Sequence, residues 1–377
     1  MISLTTRAAT RPLHKLRRPK ASRTTLAWAA DPESAGTRRG LQIALGLIWL
    51  LDAALQYQPY MFSGKFVTGV LEPASMGNPA LLAVPATSAA HLISHYVVAW
   101  NAAFATIQLA LAAGLLWRRT ARAALAGTIV WALGVWLLAE GAGGVLSGMA
   151  GMANPLTGAP GAAVLYALLA LLIWPARRCG AADSAATAGP GAPTDQSASA
   201  QAAADGSALG PRWARAAWLV LWGSSAYLIL QGAVRSHGAM RGTFTDLAAG
   251  EPGWLAALNR ANAATLGPHA GFACLALAAA FVFTGAGILL RATTRPALVM
   301  AVILALFIWV TGEDFGGILT GHATDPNTGP LLILLAAAFW PWGKTRTAPG
   351  LIARPPGMPT VQALDHEPGE TATVRSR

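Results

Sequence analysis

Carboxylates beside glycine pairs, at the ends of apolar runs, are the side chains of this sequence best suited to chemistry. Glu313 and Asp314 follow the apolar run 297–310 in the stretch WVTGEDFGGILTGHATDPNTGP (309–330), which goes on to Gly316-Gly317, His322 and Asp325. The stretch WLLAEGAGGVLSGMAGMANPLTGAP (136–160) carries the same pattern. Its Trp136, Glu140, Gly143-Gly144 and Leu146-Ser147-Gly148 stand 173 positions before Trp309, Glu313, Gly316-Gly317 and Leu319-Thr320-Gly321. Two roles fit such an acid. It caps or ties an outer loop while the glycines let helices pack closely, or Glu140 and Glu313, related by pseudo-symmetry, face one shared outer cavity. The second stretch is the richer in ligand-type groups. Glu313, Asp314, His322 and Asp325 lie within thirteen positions, and glycines at 312, 316, 317 and 321 let the backbone bend tightly enough for them to converge. That stretch is therefore expected to be the functional half, against the alternative that its polar groups only solvate an external turn.

A third acid, Asp52, sits inside the apolar run 41–57, about 16 Å from its start. A carboxyl at that depth is costly. It handles protons or a ligand, or it hydrogen-bonds between helices; the matching position of the second half is Ser225. Five of the seven histidines, His91, His95, His237, His269 and His322, fall in or beside the outer turns. His91 and His95 share a helical face at i, i+4, a spacing that suits two ligands of one metal. His95 and His269, matched between the halves, form a possible pair for a metal or haem, the alternative being ordinary loop hydrogen bonds. Met149 stands where the second half has His322, and outer methionines raise copper as a further option. Ser94, Asn101 and Gln108 recur every seven residues as a polar stripe, either a hydrogen-bonding seam or the lining of a solute path.

The elements that must carry these groups are membrane helices. The chain is 54% hydrophobic and 11% charged over 377 residues, the balance of a membrane protein. Eight apolar spans are expected: 41–57, 91–117, 123–146, 161–174, 213–234, 264–290, 296–319 and 330–342. The fourth and eighth are short, with Trp-Pro ends suited to the headgroup level. An interfacial helix is expected around 62–71. Of the 27 Lys and Arg, 23 fall in the segments on one side of these spans and four (Lys65, Arg235, Arg241, Arg260) on the other. This is the positive-inside pattern, so both termini are expected in the cytoplasm. The basic stretch HKLRRPK (14–20) suits anionic lipid rather than nucleic acid. Residues 1–40 are basic and lack an apolar core, so the first span itself is expected to direct insertion. The two cysteines, Cys179 and Cys274, form no CxxC pair. No Walker, GxSxG or dinucleotide-binding glycine pattern is present.

The expected organisation is an all-α integral membrane protein of two tandem four-helix bundles, 41–175 and 213–342, arranged as parallel repeats because each holds an even number of spans. A disordered basic tail (1–40), a flexible Ala/Gly/Ser/Pro linker (176–212) and a polar tail (343–377) complete the chain. Four spans, a long outer loop after the first, the basic turn WRRTAR after the second and a Gly-rich outer turn after the third resemble the DoxX/DoxD-like family of bacterial membrane proteins. The opening LQIALGLIWLLDAALQ (41–56) is similar to that family's first helix. The resemblance covers both halves, though tandem fusion departs from the usual single unit. It implies a four-helix bundle in the bacterial inner membrane and association with quinone-linked redox partners; no catalytic residue set transfers.

Three functions follow for the bilayer-embedded chain. The first is a membrane subunit of an outer-face redox system, with a quinone or metal pocket near Glu140, Glu313, His95 and His269. A quinone is the leading cofactor and a redox protein the partner, with haem or copper behind. The second is a non-enzymatic scaffold. The third is a small-solute or ion permease resting on Asp52 and the polar stripe.

Overall fold

A computed structural model describes residues 34–149, 151–175 and 211–342. The expectations for the stretch 14–20, for Cys179, for most of the linker and for the C-terminal tail lie outside these residues. The described residues are all helical, without a strand. Eleven helices of eleven residues or more carry the architecture: α1 (Ser34–Leu55), α2 (Ala80–His95), α3 (Val97–Leu116), α4 (Ala121–Leu138), α5 (Ala162–Leu172), α6 (Pro211–Ile229), α7 (His237–Leu247), α8 (Gly253–Leu266), α9 (Ala270–Ala286), α10 (Arg291–Thr311) and α11 (Thr328–Phe339). Four helical segments are long and apolar enough to cross a membrane: α3, α4, Ala270–Leu289 and Arg291–Thr320. The last two are α9 and α10 with the helical turns that follow them.

Small residues set the helix contacts. α1 packs on α3, α3 on α4 and α4 on α5; α6 packs on α9, α9 on α10 and α10 on α11. At the 117–120 turn, a Cβ added to Gly114 would lie 2.8 Å from the Ala124 Cβ, so only glycine admits α4 this close. Thr120 closes the same turn by donating its hydroxyl to the Gly114 carbonyl at 2.8 Å. The 290–293 turn repeats both contacts, with Gly287 against Ala297 (2.5 Å) and Thr293 donating to the Gly287 carbonyl (2.7 Å). Arg39 donates to the carbonyls of Leu115 and Leu116, satisfying the open C-terminus of α3 with a cation placed favourably on the helix dipole. The short helices α5 and α11 touch each other, and α11 also touches α1. They are the most buried elements, with Leu165, Leu169, Leu331 and Leu335 at the centre of one continuous apolar core.

The helix boundaries differ from the expected spans. The run 91–117 is broken at Tyr96 (φ −141°, ψ 49°), so His91 and His95 belong to α2 rather than to the helix of Asn101 and Gln108. The run 264–290 breaks likewise at 267–269, ahead of α9. α4 stops at Leu138 and α10 at Thr311, each followed by a 3₁₀ turn built on left-handed residues, Ala142 and Gly143 in one and Phe315 and Gly316 in the other. Glu140 and Glu313 consequently stand just beyond the helix ends. The expected interfacial helix is a succession of short turns from Gly64 to Ser75, whose Phe66, Val67 and Leu71 pack with Ile93 of α2 in a second, smaller apolar cluster.

Candidate functional site

Unlike its central core, the space between α1, α2, α3, α4 and α5 is hollow. A cavity of about 470 Å³ lies there, walled by apolar groups including Phe66, Ile93, Phe104, Leu111 and Val135. Among the described residues, no Lys, Arg or His lines it. Val130 lines it and is 74% exposed, so the cavity reaches the outer surface of the bundle along α4. Gly127 and Gly134 line the cavity one helical turn to either side of Val130 and Trp131; a Cβ at Gly134 would meet open space, while one at Gly127 would lie 2.9 Å from Leu111 Cδ2.

The polar groups of this cavity are few and poorly satisfied. Asp52 is 1% exposed. Its Oδ2 accepts from the Tyr166 hydroxyl of α5 at 2.5 Å, and its Oδ1 has no partner. Tyr166 is held by Trp49, ring centroids 4.4 Å apart. Trp49 Nε1, Trp131 Nε1, Gln56 Oε1 and Gln108 Oε1, which belong to cavity-lining residues, are buried atoms without a hydrogen-bond partner. A buried polar atom left unpaired costs about 1–3 kcal/mol. Five such unpartnered groups belong to residues around one apolar space, a concentration that calls for an explanation.

A second, polar cavity of about 250 Å³ adjoins the first. It is lined by Thr157, Gly158, Gly316 and Asn327, and it shares Glu140, Ala162, Thr324 and Asp325 with the larger space. Glu140 Oε1 accepts from the Ala163 amide at 3.0 Å, capping the N-terminus of α5; its Oε2 is unpartnered. Burial, and then the Asp325 carboxylate, push the Glu140 carboxyl up to about 8, against the pull of the Ala163 and Ala162 amides. The Asp325 carboxylate accepts from the Asn327 amide at 2.7 Å and the Thr324 hydroxyl at 2.8 Å, and burial raises it above its ordinary range.

The sequence candidates therefore separate. Asp52, Glu140 and Asp325 meet at the cavities. Glu313 does not face a shared space with Glu140: its oxygens accept from the Thr328 amide and hydroxyl and from the Gly329 amide (3.1 Å), so it caps α11. Asp314 accepts two bonds from Asn259 Nδ2 of α8, at 2.9 and 2.8 Å. His322 stacks on Tyr60 at 4.2 Å. The four groups of the 309–330 stretch thus go to different places, because the left-handed residues 314–317 turn each one in a new direction. Two of them reach the first half: His322 against Tyr60, and Asp325 at the cavities with Asp52 and Glu140. His91 and His95 are exposed and stack edge to face at 4.7 Å; His269 is exposed at the start of α9. Among the described residues no group of three or more His, Cys, Asp or Glu is placed to hold a metal ion. Along the polar stripe, Ser94 turns back to the His91 carbonyl and Asn101 donates to the Gln56 carbonyl at 2.7 Å; only Gln108 lines the cavity.

Sequence reasoning missed Trp49, Gln56, Trp131 and Tyr166. Each sits in an apolar run, where an aromatic or lone amide reads as core. The available signal was the Asp52 and Gln56 spacing, four positions apart, which puts Gln56, just past the end of α1, on the same side as Asp52. In the second half, Gln108 is matched at 173 positions by Phe281, fully buried against Trp222 with centroids 5.8 Å apart. Against known proteins, the chain matches no family model, no curated protein and no solved structure.

Proposed function

We propose that this chain is a multi-pass inner-membrane protein of DoxX-like type whose first half binds a lipid-soluble quinone, as the membrane subunit of an outer-face redox system. The carrying observation is the cavity with its unpartnered groups. A quinone needs two donors at its carbonyls, and Trp49 Nε1 and Trp131 Nε1 are free to donate. A hydroquinone needs acceptors for its two hydroxyls, and Asp52 Oδ1, Gln56 Oε1 and Gln108 Oε1 are free to accept. Both redox states are thus served by one set of side chains, while apolar walls suit the ring and the start of an isoprenoid tail. The exposed edge at Val130 faces lipid when α4 crosses a membrane, which gives such a ligand a lateral entrance.

The same proposal includes eight crossings with both termini in the cytoplasm and a tandem duplication. The paired contacts at Gly114 and Gly287 support the duplication. So do the matched bonds from Trp136 Nε1 to the Pro160 carbonyl and from Trp309 Nε1 to the Pro326 carbonyl. α5 and α11, at 11 and 12 residues, rise only about 16–18 Å and are the shortest of the eight proposed crossings. Reporter fusions at Asn78, Asn154, Gly250 and Asn327 are expected outside and fusions at Arg119 inside; the reverse at any one of them defeats the topology. Solvent extraction of protein purified in mild detergent is expected to yield about one quinone per chain. Consistent absence of quinone, from cells rich in it, defeats the ligand assignment.

A further inference from the structure

The two cavities meet at carboxyl groups. Between the apolar space holding Asp52 and Tyr166 and the polar space near the 154–158 and 324–327 turns, the shared lining is Glu140, Ala162, Thr324 and Asp325. Glu140 is anchored through one oxygen only, whereas Asp325 accepts a bond on each of its two oxygens. Glu140 is fixed through Oε1 by the Ala163 amide, and its free Oε2 presses against Gly161, at φ 110°, where any side chain would collide with it. Asp325 is fixed by Asn327 and Thr324. The titratable groups that face Asp325 are Asp52 of α1, Tyr166 of α5, Glu140 after α4 and Glu313 after α10. Among the described residues no basic side chain lines either space, and none is placed there to pair with these acids.

We propose that Asp325 and Glu140 relay protons between the polar cavity and the Asp52–Tyr166 pair, so that the ligand of the apolar cavity exchanges its protons at the outer face only. The proposal rests on the quinone reading. Oxidation of a bound hydroquinone breaks two O–H bonds; two electrons leave to a redox protein docked at the outer face, and two protons leave by way of Asp52, Glu140 and Asp325. One of the two relay residues, Asp325, comes from the second half of the chain, which gives the fused arrangement a task that a single four-helix unit lacks.

The test uses the full chain in liposomes, a short-tail hydroquinone as ligand and ferricyanide as external electron acceptor, with protein-free liposomes as background. Hydroquinone oxidation by Asp325→Asn and by the double variant Glu140→Gln/Asp325→Asn is expected to be at least about tenfold slower than wild type. Hydroquinone affinity should stay within about twofold. The pH dependence of the rate should flatten, and added acetate, a diffusible proton carrier, should restore most of the rate to Asp325→Asn. A purely structural role predicts neither the flattening nor the rescue. Unchanged rates in both variants, or slow rates that acetate leaves unaltered with the pH profile intact, overturn the relay while leaving the binding site standing. Failure of the wild-type protein to bind hydroquinone overturns the quinone reading and the relay with it.

Discussion

Replacing Gln108 with Phe is the most informative single change, because it gives the first half the residue that fills the second. Gln108 is 7% exposed, lines the cavity and leaves Oε1 unpaired; its counterpart Phe281 is wholly buried on Trp222. The variant removes an unsatisfied buried acceptor, worth about 1–3 kcal/mol, and fills methyl-sized volumes worth about 1 kcal/mol each. Rotamer strain from a tight fit subtracts about 1 kcal/mol or more. The net expectation is a gain of about 2 kcal/mol, which for a protein of this size raises the Tm by roughly 2–3 °C. The assay is thermal unfolding of detergent-solubilised protein, alongside quinone binding followed by quenching of tryptophan fluorescence. Gln108→Phe should be more stable and bind at least about tenfold more weakly, since both the space and a polar partner are lost. The reasoning is refuted if the variant binds as wild type does, or if it is destabilised by about 2 kcal/mol, which would mean that the cavity is already well packed around the amide.

Glu140, beyond the end of α4 and raised to about 8, should make stability fall with increasing pH. Its folded-state pKa lies above the unfolded value near 4.5, so the stabilisation it gives is complete below 4.5 and is lost as pH rises through about 8. Unfolding measured from pH 5 to 9 should show this loss, at most roughly 5 kcal/mol, and Glu140→Gln should flatten it; a wild-type profile flat over that range contradicts the assignment. Glu313→Ala strips three donors of their acceptor at the start of α11 and should cost about 2–3 kcal/mol in the same unfolding assay. Its quinone affinity, once the variant is folded, should change less than twofold.

The alternation of apolar runs with basic and Gly-rich turns made the helical, membrane-compatible architecture legible, and the 173-residue offset located both capping acids. The Glu140 and Glu313 positions were readable because an acid before a glycine pair at a helix end has few uses, and capping is one of them. What was not legible depended on three-dimensional meeting. The left-handed run Asp314–Gly316 sends Glu313, Asp314, His322 and Asp325 apart, and sequence spacing alone suggested convergence. The break at Tyr96 detaches His91 and His95 from the helix of Gln108; no Pro or Gly marks it. Tyr166 reads as core in AAVLYALLALL until Asp52, 114 positions earlier, is seen to bond it. The hollow borders small residues such as Gly134, where a Cβ would meet open space, and a missing volume leaves little trace in a sequence.

The measurement closest to the central claim is photolabelling of the membrane-embedded protein with an azido-substituted quinone, followed by peptide mapping with unlabelled short-tail quinone as competitor. Competed label is predicted in the 49–56, 104–111 and 127–138 segments, which carry Trp49, Asp52, Gln56, Phe104, Gln108 and Trp131 of the cavity wall. Gln108→Phe should abolish it. Label confined to residues 211–342, or label that excess quinone does not displace, would contradict the placement of a quinone site in the first half of the chain.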